Sequence, residues 1–370
     1  MKLSVQIKLL PDEDQALALR TTLREANRAA NFISRIAWEQ KTFGQYSLQK
    51  ISYAQVRASY KLPAQLTVRV TAKVADAYKL DRKKMRTFKP LGSVAFDSRN
   101  FSLFVNKSLA SISTLAGRVK VPFTCGERQR TFLANSFGEA DLCLIKDEWY
   151  LFVSVNLEDP PIEITNNFLG VDLGIVNIAT DSDGHVQSGE AITRVRKRFS
   201  SLRQRLQKRG TKNSRRHLVR LKKKEQNFVK TINHTVSKRI VGKAKDTCRS
   251  IALEDLRGIG KATVRRSQRY LHKSWAFGQL RNFIRYKALM AGVLVALVNP
   301  EYTSQTCPEC GYVARGNRIS QAIFRCLSCG FAGHADHIAA RNIRARATVN
   351  WPNAGIGLLF HILLPQAPGL

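Results

Sequence analysis

Acidic residues are scarce in this sequence. Only 27 Asp and Glu stand against 61 Lys and Arg in 370 residues, a formal net charge of +34. A surface with that surplus repels itself unless a polyanion neutralises it, and counterion release makes nucleic acid the natural partner. No apolar run reaches the roughly 18–20 residues of a spanning helix, so no membrane partner is expected. The segment MKLSVQIKLLPDEDQ lacks a signal-peptide apolar region followed by a small-residue cleavage site, and no secretory leader is expected. Cysteines are few and odd in number, seven, and four of them form two C-x-x-C pairs. That argues against a disulfide framework and for reduced thiols on a metal in a cytosolic compartment. No internal repeat is visible. An apolar content of 44% is that of a folded protein, and the length suffices for two or three domains.

The chain reads as two differently built halves. KLSVQIKLL (residues 2–10) is a strand stopped by Pro11, and Asp12, Glu13 and Asp14 supply the negative first turn that a helix start favours. Leu19, Leu23, Ala26, Ala30, Ile33 and Ala37 recur at three- and four-residue steps, one apolar helix face. Helix is expected again from Ser52 to about Lys84, broken near Pro63. From Phe88 short strands take over: SVAFDSRNFSLFV and DLCLIKDEWYLFVSV both read as hairpins, the second turning near Lys146–Glu148. This order suggests a small β domain with a helical insertion. EDPPIEITNN (158–167) is a linker, because paired prolines forbid a helix.

Beyond the linker, FLGVDLGIVNIATDSDG reads as strand, turn and strand, ending in the Asp181–Gly184 turn. RSIALEDL (249–256) is another buried strand, and WAFGQLRNFIRYKALMAGVLVALVNP a helix followed by a strand. The carboxy-terminal half is therefore α/β. Between Glu190 and Lys245 stand 20 Lys and Arg against only Glu190 and Glu225. Val195, Phe199, Leu202 and Leu206 stripe one helix, GTKNS interrupts it, and Leu221, Phe228, Ile232, Val236 and Ile240 stripe a second. The expectation is a two-helix hairpin, basic outside. Merely solvated faces usually mix signs, and this one does not. Arg196, Lys197, Arg198, Arg203 and Arg205 are its candidate nucleic-acid contacts.

Cys307-Pro-Glu-Cys310 and Cys326-Leu-Ser-Cys329 are separated by 15 residues, each pair followed by a glycine, Gly311 and Gly330. Four thiolates in a closed tetrahedron mean one structural Zn per chain. Cys125, Cys143 and Cys248, in apolar contexts, are expected to be small core residues. Asp172 ends the apolar strand FLGVD, Glu254 ends SIALE, and Asp336 opens the helix HIAARNI. Singly, each acid is more often a cap or a surface charge. Together, beside so much positive charge, they fit a Mg²⁺ site acting on phosphodiesters, where two ions stabilise the attacking and leaving oxygens. Asp181 and Asp183 lie in an ordinary turn, and Asp255 faces away from Glu254 by strand alternation.

GVDLGIVNIAT, INHTVSKRIV, IALEDLRGI, NPEYTSQTCPECG and FRCLSCGFAGHADHIAARNI, in this order, resemble the carboxy-terminal half of TnpB proteins. These are transposon-encoded RNA-guided nucleases related to the compact type V CRISPR effectors. The resemblance is dense from about Phe168 to Ile343; the amino-terminal part matches only in architecture. It implies a multidomain α/β protein with a β-barrel-like wedge domain (1–10 and 88–160) carrying a helical recognition domain (11–87). An RNase H-like (RuvC) domain (161–302 and 334–350) with an inserted zinc ribbon (303–333) would follow. The apolar tail 351–370 has no assigned role. Position by position, Asp172, Glu254 and Asp336 match the catalytic acids, and Cys307, Cys310, Cys326 and Cys329 the ribbon ligands. Ile338 departs from the Asn that many members carry there. The resemblance also implies Mg²⁺ at the acids, a guide RNA from the transposon end, a double-stranded DNA target beside a short adjacent motif, and a prokaryotic cytoplasmic, nucleoid-associated location. A guided DNA-binding repressor without cleavage, or a transposase reading DNA directly, are the rival readings. The complete acid triad counts against the first, and the absence of a catalytic tyrosine or histidine-pair motif weakens the second.

Overall fold

The computed structural model describes residues 1–256 and 277–350; the tail 351–370 lies outside the described residues. The chain divides into two compact units, the first Met1–Glu158 and the second from Asp159 on, so the boundary falls at the proline pair. Among the described residues, no helix is long and apolar enough to cross a membrane.

The first unit begins with β1 (Lys2–Leu9), whose Val5, Ile7 and Leu9 alternate into the core. Helix α1 (Glu13–Glu39) starts at a capping box in which the Asp12 side chain accepts from the Gln15 amide and Gln15 answers with its own side chain. Its predicted apolar face is buried throughout. α2 (Gln45–Tyr60) and α3 (Ala64–Leu80) are separated by left-handed Lys61 and by Pro63, which cannot continue a helix. Six further strands are β2 (Val94–Phe96), β3 (Phe101–Phe104), β4 (Leu109–Thr114), β5 (Gly117–Thr124), β6 (Phe137–Ile145) and β7 (Glu148–Asn156), with the short α4 (Glu127–Leu133) between β5 and β6. They join β1 in the order β2-β6-β7-β1-β5-β4-β3. Phe101 on β3 and Phe137 on β6, far apart in that order, bring their rings to 6.3 Å, so the sheet curls and nearly closes.

One expected hairpin forms and the other does not. β6 and β7 turn at Lys146 and Asp147, both left-handed as a two-residue hairpin turn requires. SVAFDSRNFSLFV, by contrast, is split: β2 pairs with β6 and β3 with β4, near opposite ends of the sheet. Asn27, fully buried on α1, holds the return from the helices to β2 by donating to the Gly92 carbonyl at 2.9 Å. Its carbonyl oxygen accepts from Lys73 Nζ at 2.7 Å, and burial lowers that ammonium to about 8.

The second unit is built on a five-stranded sheet in the order β10-β9-β8-β11-β12. β8 (Phe168–Asp172), β11 (Ser250–Glu254) and β12 (Val295–Val298) run parallel, while β9 (Asn177–Asp181) pairs antiparallel with β8 and β10 (Val186–Ser188) antiparallel with β9. Helices α5 (Glu190–Arg209) and α6 (Lys212–Asp246) form the basic hairpin, turning at left-handed Gly210. α7 (Phe277–Met290) precedes β12, and α8 (Ala335–Asn350) follows the cysteine-bearing segment.

Strand alternation gives this sheet two cores. Leu169, Val171, Ile251 and Leu253 face the helices α6 and α7, whereas Phe168, Ala252, Ala296 and Val298 face Ile343 and Ala347 of α8. Gly170 shares the α8 face, and α8 passes so close that a Cβ on Gly170 would lie 2.1 Å from the Ala340 carbonyl oxygen. Only glycine permits that approach.

Candidate active site and metal centre

The two cores explain how separate acids meet. Asp172 is two residues beyond Gly170, and Glu254 two beyond Ala252, so alternation sends both towards α8. Asp336 is the second residue of α8. Burial, then the charges of Glu254 and Asp336, lift the Asp172 carboxyl to about 7, while the Arg318 guanidinium pulls the other way. Burial also raises Glu254, and the Thr303 hydroxyl bonded to it opposes that rise. Asp336 accepts from Arg318 at 3.1 Å through Oδ1 and from Asn177 Nδ2 at 2.9 Å through Oδ2. The three predicted acids therefore share one electrostatic environment, with too little positive charge for full ionisation of Asp172. Hard carboxylate oxygens suit a divalent cation, which would relieve that strain. Their oxygens are not gathered as closely as the cysteine sulfurs, whose four atoms lie within 4.8 Å of one another.

Asp255 points the other way, to Arg281 on α7 at 3.4 Å, as alternation predicts. Asp181 and Asp183 do more than form a turn. Asp181 is buried and accepts from Lys243 at 2.6 Å; Asp183 takes Lys243 at 2.9 Å and both terminal nitrogens of Arg249 at 2.9 and 2.7 Å. This network fastens the β9–β10 turn to the end of α6 and the start of β11. The same turn offers the Ser182 carbonyl to His337 Nε2 at 3.1 Å. His334 is exposed.

Cys307 Sγ lies 3.7 Å from Cys329 Sγ, and Cys310 Sγ 3.5 Å from Cys326 Sγ. Sulfurs about 2.3 Å from a common ion in a tetrahedron would stand roughly 3.8 Å apart, so the set fits a metal and is consistent with zinc. Gly311 and Gly330 take the left-handed backbone that each knuckle needs. Amides of Cys329 and Ser328 point at Cys326 Sγ and pull its thiol down, towards the thiolate that binds metal. The strands β13 (Ile323–Arg325) and β14 (Ala332–His334) close the segment. Its core is Cys307, Phe324, Cys326, Ala335 and Ile338. Ile338 thus fills an apolar contact between the cysteine segment and α8. Of the other cysteines, expected to be core residues, Cys125 and Cys143 are only half-buried, and Cys248 is exposed in the turn after α6, where its backbone is left-handed with a φ of 48°.

The five basic candidates on α5 are not equivalent. Lys197, Arg198 and Arg205 are exposed. Arg196 is 2% exposed, and Arg203 is ion-paired with Glu225 of α6. Both lie on the stripe of Ile192 and Leu206, at helical spacings from them, and so face into the hairpin instead of outward. That spacing is a local signal. Arg318, Thr303 and Asn177 have none, because each reaches its acid across a long stretch of chain.

Residues 152–264 match a family model described as "Probable transposase", and residues 277–343 one described as "Cas12f1-like, TNB domain". The CRISPR-associated endodeoxyribonuclease Cas12f1 of Sulfoacidibacillus thermotolerans is 37% identical over 217 residues, 54% of this chain and 50% of that protein. The "Putative RNA-guided DNA endonuclease InsQ" of Escherichia coli (strain K12) is 28% identical over 220 residues, 54% of each. A TnpB-like protein of Methanocaldococcus jannaschii is 28% identical over 190 residues, 48% of this chain and 68% of that one. The chain spans about half the length of the first of these relatives. The cryo-EM structure of a Cas12f1–sgRNA–target DNA complex shares the fold, with a TM-score of 0.65 over 89% of this chain and 83% of that one, at 14% identity.

Proposed function

The chain belongs to the TnpB family, and from that premise we propose that it is a transposon-encoded, RNA-guided DNA endonuclease. The observation that carries the reading is the convergence of Asp172, Glu254 and Asp336 on the α8 face, close enough that the other two raise Asp172. The second unit is then a RuvC-like nuclease domain, its cysteine segment a zinc ribbon, and the first unit a wedge sheet with a helical recognition insertion.

Mg²⁺ bound at the three acids would supply electrostatic stabilisation of the attacking and leaving oxygens of a phosphodiester. The chain's own residues prepare that site. Asp172 and Glu254 stand on adjacent parallel strands, which fixes the spacing of their backbones. Asp336 is oriented by Asn177 and by Arg318, whose guanidinium also stands ready for a phosphate oxygen. Thr303 fixes one oxygen of Glu254. Guide RNA and the heteroduplex would be held by phosphate contacts from basic surface, including Lys197, Arg198 and Arg205. Base pairing would supply target sequence, and the first unit would read the motif beside it.

The test is cleavage by protein purified with its co-expressed guide. Replacing the guide's terminal segment should redirect cutting to matching DNA while the adjacent-motif requirement persists. Asp172→Ala should abolish cutting and leave RNA and target binding intact. Cutting that stays at the original DNA after the swap, or that needs no RNA, would favour a transposase reading DNA directly. Guided binding without any cutting by the wild type would favour the repressor.

A further inference from the structure

The short segment between β12 and the first cysteine pair connects the acid cluster, α8 and the cysteine segment. Thr303 is 2% exposed, and its hydroxyl donates to Glu254 Oε1. The same oxygen lies 3.0 Å from the Pro300 carbonyl, but a carboxylate is the stronger acceptor. The Thr303 carbonyl accepts from Asn342 Nδ2 at 2.8 Å, and that nitrogen also donates to the Thr306 carbonyl at 2.8 Å. Both protons of one amide are thus committed to one turn. Asn342 is 6% exposed on α8, six residues beyond Asp336, and Thr306 immediately precedes Cys307. A single buried amide therefore joins the helix carrying one acid, the turn bonded to a second, and the start of the metal-binding segment.

We propose that Thr303 and Asn342 are positioning residues for phosphodiester cleavage: Asn342 fixes the turn, and the Thr303 hydroxyl then fixes the Glu254 carboxylate so that its free oxygen faces the divalent cation. This rests on the nuclease reading given above. The physical reason is geometric. A glutamate has three side-chain torsions beyond its strand, so strand pairing alone does not set where its oxygens lie. A hydroxyl bonded to one oxygen removes most of that freedom, provided the hydroxyl is itself immobile. The Pro300 and Tyr302 carbonyls are bonded within the segment itself, and Asn342 holds those of Thr303 and Thr306, a restraint that comes from α8. Partners of this kind, which orient a metal-binding carboxylate without touching the ion, typically change metal affinity or activity by about 10–100-fold.

The experiment uses the full chain with its guide RNA and compares wild type with Thr303→Val, Thr303→Ala and Thr303→Ser. Val keeps the shape and loses the hydroxyl, Ala loses both, and Ser keeps the hydroxyl. Three readings are taken: cleavage rate against Mg²⁺ concentration, Mn²⁺ binding by electron paramagnetic resonance without DNA, and zinc content. Val and Ala should cut about 10-fold or more slowly, need a higher Mg²⁺ concentration for half-maximal rate and bind Mn²⁺ more weakly, with one zinc retained and target binding unchanged. Ser should restore rate and Mn²⁺ binding to within about threefold, since the donor is kept. Asn342→Ala should shift the Mg²⁺ requirement in the same direction.

Val cutting like the wild type, with the same Mn²⁺ binding, overturns the inference and leaves the nuclease reading standing. Ser failing alongside Val also overturns it, as does loss of folding in both Val and Ala, because the hydroxyl would then serve stability alone. A wild type that cuts no guided target overturns both readings together.

Discussion

Gly170→Ala should separate packing from chemistry. The added Cβ would lie 2.1 Å from the Ala340 carbonyl oxygen, 2.7 Å from the Arg344 amide nitrogen and 2.9 Å from Arg344 Cβ. Two of those atoms are helix backbone, which cannot rotate aside, so α8 must retreat by roughly 1 Å or more to regain ordinary contact. Overpacking of this kind costs about 1–3 kcal/mol. Each kcal/mol should lower the unfolding midpoint of a unit this size by about 2–4 °C. The retreat also carries Asp336, four residues before Ala340 on the same helix, away from Asp172. A displacement near 1 Å at a reacting centre can cost about 100-fold in rate. Guided cleavage at a temperature well below the transition reads the second effect apart from the first. Gly242→Ala in α6 is the control: its Cβ meets nothing within 4 Å, and it should stabilise by about 0.4–1 kcal/mol. Wild-type cutting and an unchanged midpoint for Gly170→Ala would refute the close approach of α8 to β8.

Three further outcomes are expected. Cys326→Ser should reduce metal content from about one zinc per chain towards zero and expose the segment to proteolysis, since metal binding supplies most of the folding free energy of so small a unit; metal-free wild type with that segment intact would contradict this. Arg249 and Lys243 hold the Asp183 carboxyl well below its usual range, so its stabilisation is complete above about pH 4 and is lost as pH falls through the folded-state value. Asp183→Asn should therefore cost stability near pH 7 and less in acid, and equal differences at about pH 7 and pH 3 in chemical unfolding would rule that out. Neutralising Lys197, Arg198 and Arg205 should flatten the log–log salt dependence of guide binding by up to about 0.9 per lost phosphate contact, whereas Arg196 and Arg203 should contribute through folding; an unchanged slope would mean the exposed face of α5 meets solvent in the complex.

What could be read from the sequence followed local rules. FLGVD and SIALE end in acids at strand termini, and the period of two then decides which face each acid takes. The knuckle glycines follow from the C-x-x-C spacing, and the β6–β7 turn from the polar Lys146-Asp147 between apolar runs. The reading failed where partner choice is non-local. SVAFDSRNFSLFV has the composition of a hairpin, yet β2 and β3 each find a better partner elsewhere in a curled sheet. Arg196 was legible but outvoted by charge: its spacing from Ile192 marks the inner face of α5. Asn177, Thr303 and Arg318 are ordinary polar residues in the sequence, and only the fold brings them to the acids.

The central place of β1 in the first sheet has a consequence for synthesis. Its partners β7 and β5 flank it on both sides, and β7 leaves the ribosome roughly 140 residues after it, on the order of 10–30 s at ordinary elongation rates. Both edges of β1 are unpaired until β5 emerges, and one remains so until β7 does, each a template for pairing with a neighbouring nascent chain. Helices α1, α2 and α3 emerge meanwhile and can close on their own local contacts, but none supplies a ladder. The residues that protect the waiting strand are those that alternate with its core positions, Lys2, Ser4, Gln6 and Lys8, polar along the whole outer face. Replacing Ser4 and Gln6 with valine would leave the finished fold little changed and should sharply raise aggregation during synthesis.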